Sequence, residues 1–386
     1  MDLVPCLLVG DGPQESTGLG RIARDLGLLL RGDDLGVDLL QVGGAVPPLW
    51  PAWPHVPMAA AERGDDWGSS YCEALWLDRW GKAPGVLFVV WDPARCYAFL
   101  PWSVPVQRWC YTAIDSHNRW GGLSGAPGEA LRKFDRVLAY GRWASEVVQH
   151  VRDGAIQYLP HGLWLDTYRA ANEEEQAAVR ETLGPHLGRE ATLVGCVATN
   201  QPRKDLALYF ETLATLKERG CHVYGWLHTD ATTRAWSVDE LVTDCGLQHR
   251  VTVTLGNFTD RQLACLYQRC DVTIAPGLGE GFGYPIVESL ASGVPVVHGD
   301  FGGGSELVPK VEWRVPVRAV RRESVYGLTR PIFTAEDVAN AVERALDWRM
   351  KVGTDVCAAY CRGSVAHLDW PQLTPRWRAW IKEGLR

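Results

Sequence analysis

Two carboxylates eight positions apart frame the stretch GEGFGYPIVESLASGVPVV, which runs from Gly279 to Val297. Glu280 stands among glycines that leave backbone N–H groups accessible, and Glu288 falls one turn into the helix that Tyr284 opens. Carboxylates so placed suit two separate tasks. Each can accept hydrogen bonds from a vicinal diol, one on a sugar ring and one on a ribose, instead of sharing a single bond as acid and base. A second group carries the opposite charge. In ATNQPRKDL, Arg203 and Lys204 precede a helix at the end of a strand. A guanidinium fork and an ammonium there neutralise a diphosphate, above all one that leaves with its charge developing. The alternative for such a pair is solvated surface, and the strand-end position favours the functional reading.

A third group lies in GDGPQESTGLGRIARDL, where Thr17, Gly18 and Gly20 sit at the mouth of a helix. Unpaired N–H groups and the helix dipole favour an anion or a sugar hydroxyl at such a place. Gly18-x-Gly20-x-x-Ala23 comes near the dinucleotide fingerprint, but its glycines follow the strand by about eight residues, whereas that fingerprint needs them in the tight turn itself. A glycine turn without a ligand is the alternative.

The elements that must position these groups are legible as alternation. Apolar, β-rich runs at Val4–Gly10, Val37–Val42, Val86–Trp91, Arg108–Ile114, Arg136–Tyr140 and Ile156–Leu159 predict strands. Amphipathic stretches at Leu19–Leu30, Ser70–Trp80, Pro127–Lys133 and Trp143–Val151 predict helices between them. The pattern restarts with strands at Thr192–Ala198, His222–Leu227, Val251–Leu255, Val272–Ala275 and Val294–His298, and helices at Leu206–Arg219, Asp260–Gln268 and Tyr284–Ser292. Such alternation implies an α/β protein with two parallel, Rossmann-like sheets, and ligands then bind beyond the carboxyl ends of the strands. The expected organisation is a first domain over 1–165, a helical connection over 166–190, a second domain over 191–365 and a tail over 366–386. That tail ends in an amphipathic helix that either packs back on the first domain or lies on the surface.

At 386 residues two domains are the prior expectation, and the composition, 46% hydrophobic and 22% charged, is that of a soluble globular protein. No apolar run reaches the ~18–20 residues of a membrane span, and the start lacks a basic region and a cleavage site, so a cytoplasmic location is expected. A net charge of −7 opposes a surface built throughout for nucleic acid. The 11 cysteines include no CxxC pair, and no D-x-D triplet occurs, so no metal is expected.

Taken together, Glu280-x7-Glu288 and its surroundings resemble the E-x7-E signature of the GT4 family of retaining glycosyltransferases, which have the GT-B fold. VATNQPRKD is similar to that family's phosphate-binding segment, LGNFTDRQLACLYQRCDVTIAP to its lead-in to the signature, and FGGGSELV to the glycine-rich loop that follows. LPHGLW resembles the family's Pro-Asn-Gly turn, with His161 in place of Asn. The resemblance covers roughly residues 159–308, and the first domain only through STGLGR.

It implies two Rossmann-like domains facing each other across a cleft, with Arg203 and Lys204 on the donor diphosphate. Glu280 would bind the donor sugar beside the Phe282 and Gly283 backbone, and Glu288 the ribose, while Gly18 and Gly20 approach from the other domain. A family histidine near the transferred sugar would be His117, with Asp115 beside it; a loop histidine without a role is the alternative. The expected donor is a nucleotide-diphosphate sugar, uridine favoured, with no cofactor and no obligatory metal.

Acceptor choice should lie in the first-domain loops. Eleven of the 18 tryptophans precede position 165, and GGAVPPLWPAWPHVP carries Trp50 and Trp53, which can wall a pocket. A small molecule or glycan is the expected acceptor. Modified DNA is the runner-up, drawn from Arg314, Arg318, Arg321 and Arg322 in RVPVRAVRR with Arg119, Arg132, Lys133 and Arg136. A nicotinamide-dependent oxidoreductase and a non-catalytic nucleotide-sugar-binding protein are the alternatives of other classes. Oligomeric state is not legible.

Overall fold

In a computed structural model of the protein, the described residues are 3–13, 17–44, 55–58, 65–184, 191–230, 235–256 and 258–386. They form two compact units. The first comprises residues 1–161, 324–328 and 371–386, and the second 162–323 and 329–370.

The first unit is built on a seven-stranded sheet of β1 (Val4–Val9), β2 (Val37–Val42), β3 (His55–Val56), β4 (Gly85–Val89), β5 (Val106–Thr112), β6 (Arg136–Ala139) and β7 (Gln157–Tyr158). Its order is β3-β2-β1-β4-β5-β6-β7, and every pairing is parallel. The central strands are apolar along their length because helices cover both faces, so Cys6–Val9 and Val86–Val89 are all buried. Val9 pairs with Val89, which brings the carboxyl ends of β1 and β4 side by side.

The second unit holds a six-stranded parallel sheet of β8 (Thr192–Val197), β9 (Val223–Thr229), β10 (Val251–Leu255), β11 (Val272–Ala275), β12 (Val296–Gly299) and β13 (Arg314–Val315), ordered β10-β9-β8-β11-β12-β13. A separate antiparallel pair joins β14 (Ala319–Arg322) to β15 (Thr329–Ile332). The expected strands and helices of both units are present, with ends displaced by two residues or fewer.

The connecting segment and the tail each join one of the two units. The helix Glu173–Leu183, within the expected connection over 166–190, belongs to the second unit. Val179 and Leu183 are buried in the same cluster as Trp226 and Tyr267, and Arg261 clasps Glu175 through Nε at 2.8 Å and Nη2 at 2.6 Å. The final helix, Trp370–Gly384, contributes to the first unit from Pro371 onward. Trp377 and Trp380 are buried; the Trp377 indole N–H donates to the Pro160 carbonyl at 3.1 Å, and Arg136 donates to the Trp380 carbonyl at 2.9 Å. Among the described residues no helix is long and apolar enough to cross a membrane.

Candidate active site

β8 and β11 are neighbours whose onward connections diverge, so their carboxyl ends mark the switch point of the second sheet, where α/β folds bind ligands. The loop after β8 carries Arg203 and Lys204, and the loop after β11 carries Glu280. Asn200 fixes the first of these by a paired amide contact: its Oδ1 accepts from the Trp236 N–H at 2.8 Å and its Nδ2 donates to the Trp236 carbonyl at 2.8 Å. Asp205 then turns the chain in the left-handed region, at φ +41°, and caps the helix Leu206–Glu218.

The two loops are bonded to each other. The Leu278 N–H donates to the Arg203 carbonyl at 2.7 Å, and Arg203 Nη1 donates to the Gly279 carbonyl at 3.1 Å. Lys204 Nζ meets Glu280 Oε1 at 2.5 Å, and Arg203 Nη1 stands 3.6 Å from Glu280 Oε2. A small pocket opens here, lined by Ala198, Lys204, Pro276, Gly277, Glu280 and Gly283. Burial by itself would raise the Glu280 carboxyl. Lys204 and then Arg203 outweigh it and hold the carboxyl at about 2. Glu280 is thus a buried acceptor that is ionised at neutral pH and paired with two cations.

His298, at the end of β12, was not singled out in the sequence, although a histidine in the run VPVVHGD is the one polar ring among apolar neighbours. It is buried; its Nδ1 donates to the Ala275 carbonyl at 2.7 Å, and its Nε2 has no hydrogen-bond partner among the described residues. Burial pushes its pKa down and keeps it neutral. Gly304 lies against it: a Cβ there would come 2.7 Å from His298 Nε2 and 3.0 Å from the Glu280 Cβ.

Glu288 has other neighbours. It is buried in the helix Tyr284–Ala291, and its Oε2 accepts from the Tyr267 hydroxyl at 3.1 Å. Tyr267, also missed in the sequence, is pushed well up by burial and by this carboxylate. Gly283, at φ +100°, opens the helix, and Phe282 is buried edge-on to Tyr284 at 5.8 Å.

In the first unit, Thr17 caps the helix Gly18–Leu30, its hydroxyl accepting from the Gly20 N–H at 2.9 Å. Gly18 and Gly20 therefore lie in the first turn of a helix. His117 donates from Nδ1 to the Asn118 carbonyl at 2.6 Å, beside the half-buried Asp115. Trp50 and Trp53 lie outside the described residues. His161 is buried; the Tyr111 hydroxyl donates to the Leu159 carbonyl at 2.8 Å, so His161 Nδ1 donates to that hydroxyl at 2.9 Å.

The basic track drawn for DNA is largely occupied within each unit. Arg318 forms a two-pronged pair with Asp337, and Arg314 donates to the Val308 carbonyl. Lys133 and Arg132 pair with Glu129, and Arg136 is held by the final helix.

Residues 191–347 match the family described as Glycosyl transferases group 1. The second unit is a GT4-type glycosyltransferase domain. A D-inositol 3-phosphate glycosyltransferase of Mycobacteroides abscessus is 26% identical over 278 residues, or 69% of this chain and 57% of that protein. The chain spans about half the length of the curated relatives it matches. Among solved structures, sucrose-phosphate synthase from Thermosynechococcus elongatus superposes with a TM-score of 0.75 at 17% identity, over 98% of each chain. Anabaena HepE, solved in complex with UDP, gives 0.66 at 14% identity over 99% of each chain. Both likenesses span nearly the whole chain and show its fold to be GT-B, two Rossmann-like units. Neither the oxidoreductase nor the DNA-modifying reading is favoured by them.

Proposed function

We propose that the protein is a retaining glycosyltransferase that moves a sugar from a nucleotide-diphosphate donor to a hydroxyl of a small molecule or glycan. The observation that carries this reading is the Arg203–Lys204–Glu280 constellation at the switch point of the second sheet. Arg203 keeps part of its guanidinium exposed, its side chain being 31% accessible, so it and Lys204 can meet a diphosphate while both still face Glu280. Their two positive charges then stabilise the leaving group as its charge develops, the role a divalent ion takes elsewhere. Glu280, ionised throughout the working pH range, accepts hydrogen bonds from the sugar hydroxyls and fixes the ring. A carboxylate held by two cations is a poor nucleophile, which supports attack on the face the diphosphate leaves over a covalent intermediate. Glu288 takes the ribose, and uridine is the favoured base, in keeping with UDP bound to the Anabaena protein.

The test is a set of nucleotide sugars offered with candidate acceptors, with EDTA present or absent, and the anomeric configuration of product read by NMR. UDP and its sugar conjugates should raise the melting temperature, with or without EDTA, and product should retain configuration. Stabilisation by nicotinamide dinucleotides and by no nucleotide sugar overturns the proposal.

A further inference from the structure

The first sheet has its own switch point, between β1 and β4, and the side chains gathered there are not used by the donor site. Asp11 follows β1; Trp91, Asp92 and Arg95 follow β4. Asp11 Oδ1 accepts from the Trp91 indole N–H at 2.7 Å and from Arg95 Nη1 at 3.5 Å, and its Oδ2 accepts from the Thr17 hydroxyl at 2.9 Å. Arg95 Nε pairs with Asp92 at 3.1 Å. Among the described residues this leaves one acceptor lobe on Asp11 Oδ2 and the Nη2 end of Arg95, whose side chain is 30% exposed.

Trp67 completes the group. Its ring lies against the Arg95 guanidinium at 4.5 Å and meets Trp91 edge-on at 6.3 Å, yet the residue remains 45% exposed. Its backbone sits at φ +69°, in the left-handed region that a bulky residue adopts only when its surroundings hold it there. One indole face is therefore fixed by the guanidinium and the ring is presented to solvent, beside one hydrogen-bond donor and one acceptor. The charge balance selects the ligand. Among the described residues two carboxylates face one guanidinium, so the group offers no excess of positive charge for a phosphate or a polyanion.

We propose that Trp67, Asp11 and Arg95 form a subsite for a neutral pyranose, its C–H face stacked on Trp67 and an adjacent hydroxyl pair bridging Asp11 Oδ2 and Arg95 Nη2. That this ring is the acceptor of the transfer rests on the function proposed above; the subsite itself does not.

The test measures binding of the methyl glycosides of glucose, mannose and galactose, and of glucose 6-phosphate, by saturation-transfer NMR, with and without UDP. Trp67→Gly removes the ring and relieves the backbone, so the variant should fold; Trp67→Phe keeps a smaller platform. At least one neutral glycoside should bind the wild-type protein, about tenfold more weakly to Trp67→Gly and at intermediate strength to Trp67→Phe, the loss expected of one stacking platform. Equal binding to wild type and Trp67→Gly overturns the subsite. So does failure of all three glycosides to bind the wild type, or tighter binding of the phosphate. The melting-temperature response to UDP is read in the same samples. If that response is absent while glycoside binding depends on Trp67, the transfer reading fails and the subsite stands; the reverse pattern removes the subsite alone.

Discussion

Lys204 and Glu280 lie 76 residues apart in the chain, and Nζ and Oε1 meet at 2.5 Å with both residues buried. Their loops leave neighbouring strands, so the pair ties the segment proposed to face the diphosphate to the one proposed to face the sugar. Removing one partner strands a buried charge. Lys204→Met should therefore cost about 3–5 kcal/mol at neutral pH, and Lys204→Met/Glu280→Gln should recover much of it. The sign with pH follows from the depressed carboxyl. In the wild type the pair's contribution is complete above the ordinary value of 4.5 and is lost as pH falls towards about 2. In Lys204→Met burial dominates and raises the Glu280 carboxyl, so acid should narrow the gap between the two proteins. Urea titrations at pH 7 and pH 4 check both statements; a gap that widens in acid refutes the assignment.

The glutamates should separate in kinetics. Glu280→Gln removes the charged acceptor proposed to hold the donor sugar, and turnover should fall about 100- to 1,000-fold with nucleotide affinity little changed. On the proposed ribose role, Glu288→Gln should lower UDP affinity about tenfold or more while sparing turnover at saturation. Calorimetric titration with UDP and steady-state rates decide between them, and identical profiles for both variants would refute the division of labour.

Much of this site was legible in the sequence because it depends on local pattern. The runs Cys6–Val9, Val194–Val197 and Val272–Ala275 announce buried parallel strands, and loops after them are where ligands bind. Arg203, Lys204, Glu280 and Glu288 could be named because each sits at a strand end or one turn into a helix. What spacing cannot give is partnership across the sheet. That Lys204 neutralises Glu280, that Tyr267 supports Glu288, and that Trp67 lies on Arg95 beside Asp11 all depend on which strands are neighbours. The final helix shows the same limit, since Trp377 finds Pro160 only once the chain has returned over 217 residues.

Acid should expose the buried histidines. Burial pushes His161 well below its ordinary value of 6.5, with Arg21 adding to it, and lowers His298 and His228 as well. Below about pH 6.5 the unfolded chain takes up protons that these folded side chains refuse, so stability falls as pH drops. Each fully buried imidazole adds a slope of up to ~1.4 kcal/mol per pH unit within its window. His161→Asn removes one such proton and should flatten the stability profile between pH 7 and pH 5. An unchanged slope in His161→Asn would show that this residue titrates alike in both states.

Gly304 should prove as constrained as any charged residue of the site. It needs no positive φ, so its constraint is space: an added Cβ would stand 2.7 Å from His298 Nε2, 2.9 Å from Ile286 Cδ1 and 3.0 Å from the Glu280 Cβ. The imidazole cannot turn aside cheaply, because Nδ1 is fixed on the Ala275 carbonyl. Gly304→Ala should cost about 1–3 kcal/mol, the usual penalty for overpacking, and should blunt the response to UDP-sugar by displacing Glu280. Replacing the imidazole opens room for that methyl but leaves the Ile286 contact. Gly304→Ala in a His298→Ala background should therefore be less damaging than in the wild type, with a coupling of about 0.5–3 kcal/mol in a double-mutant cycle. Chemical denaturation of the four proteins measures it. Additive losses would mean that the imidazole is not what keeps residue 304 a glycine, and the constraint would then fall to Ile286 and Glu280.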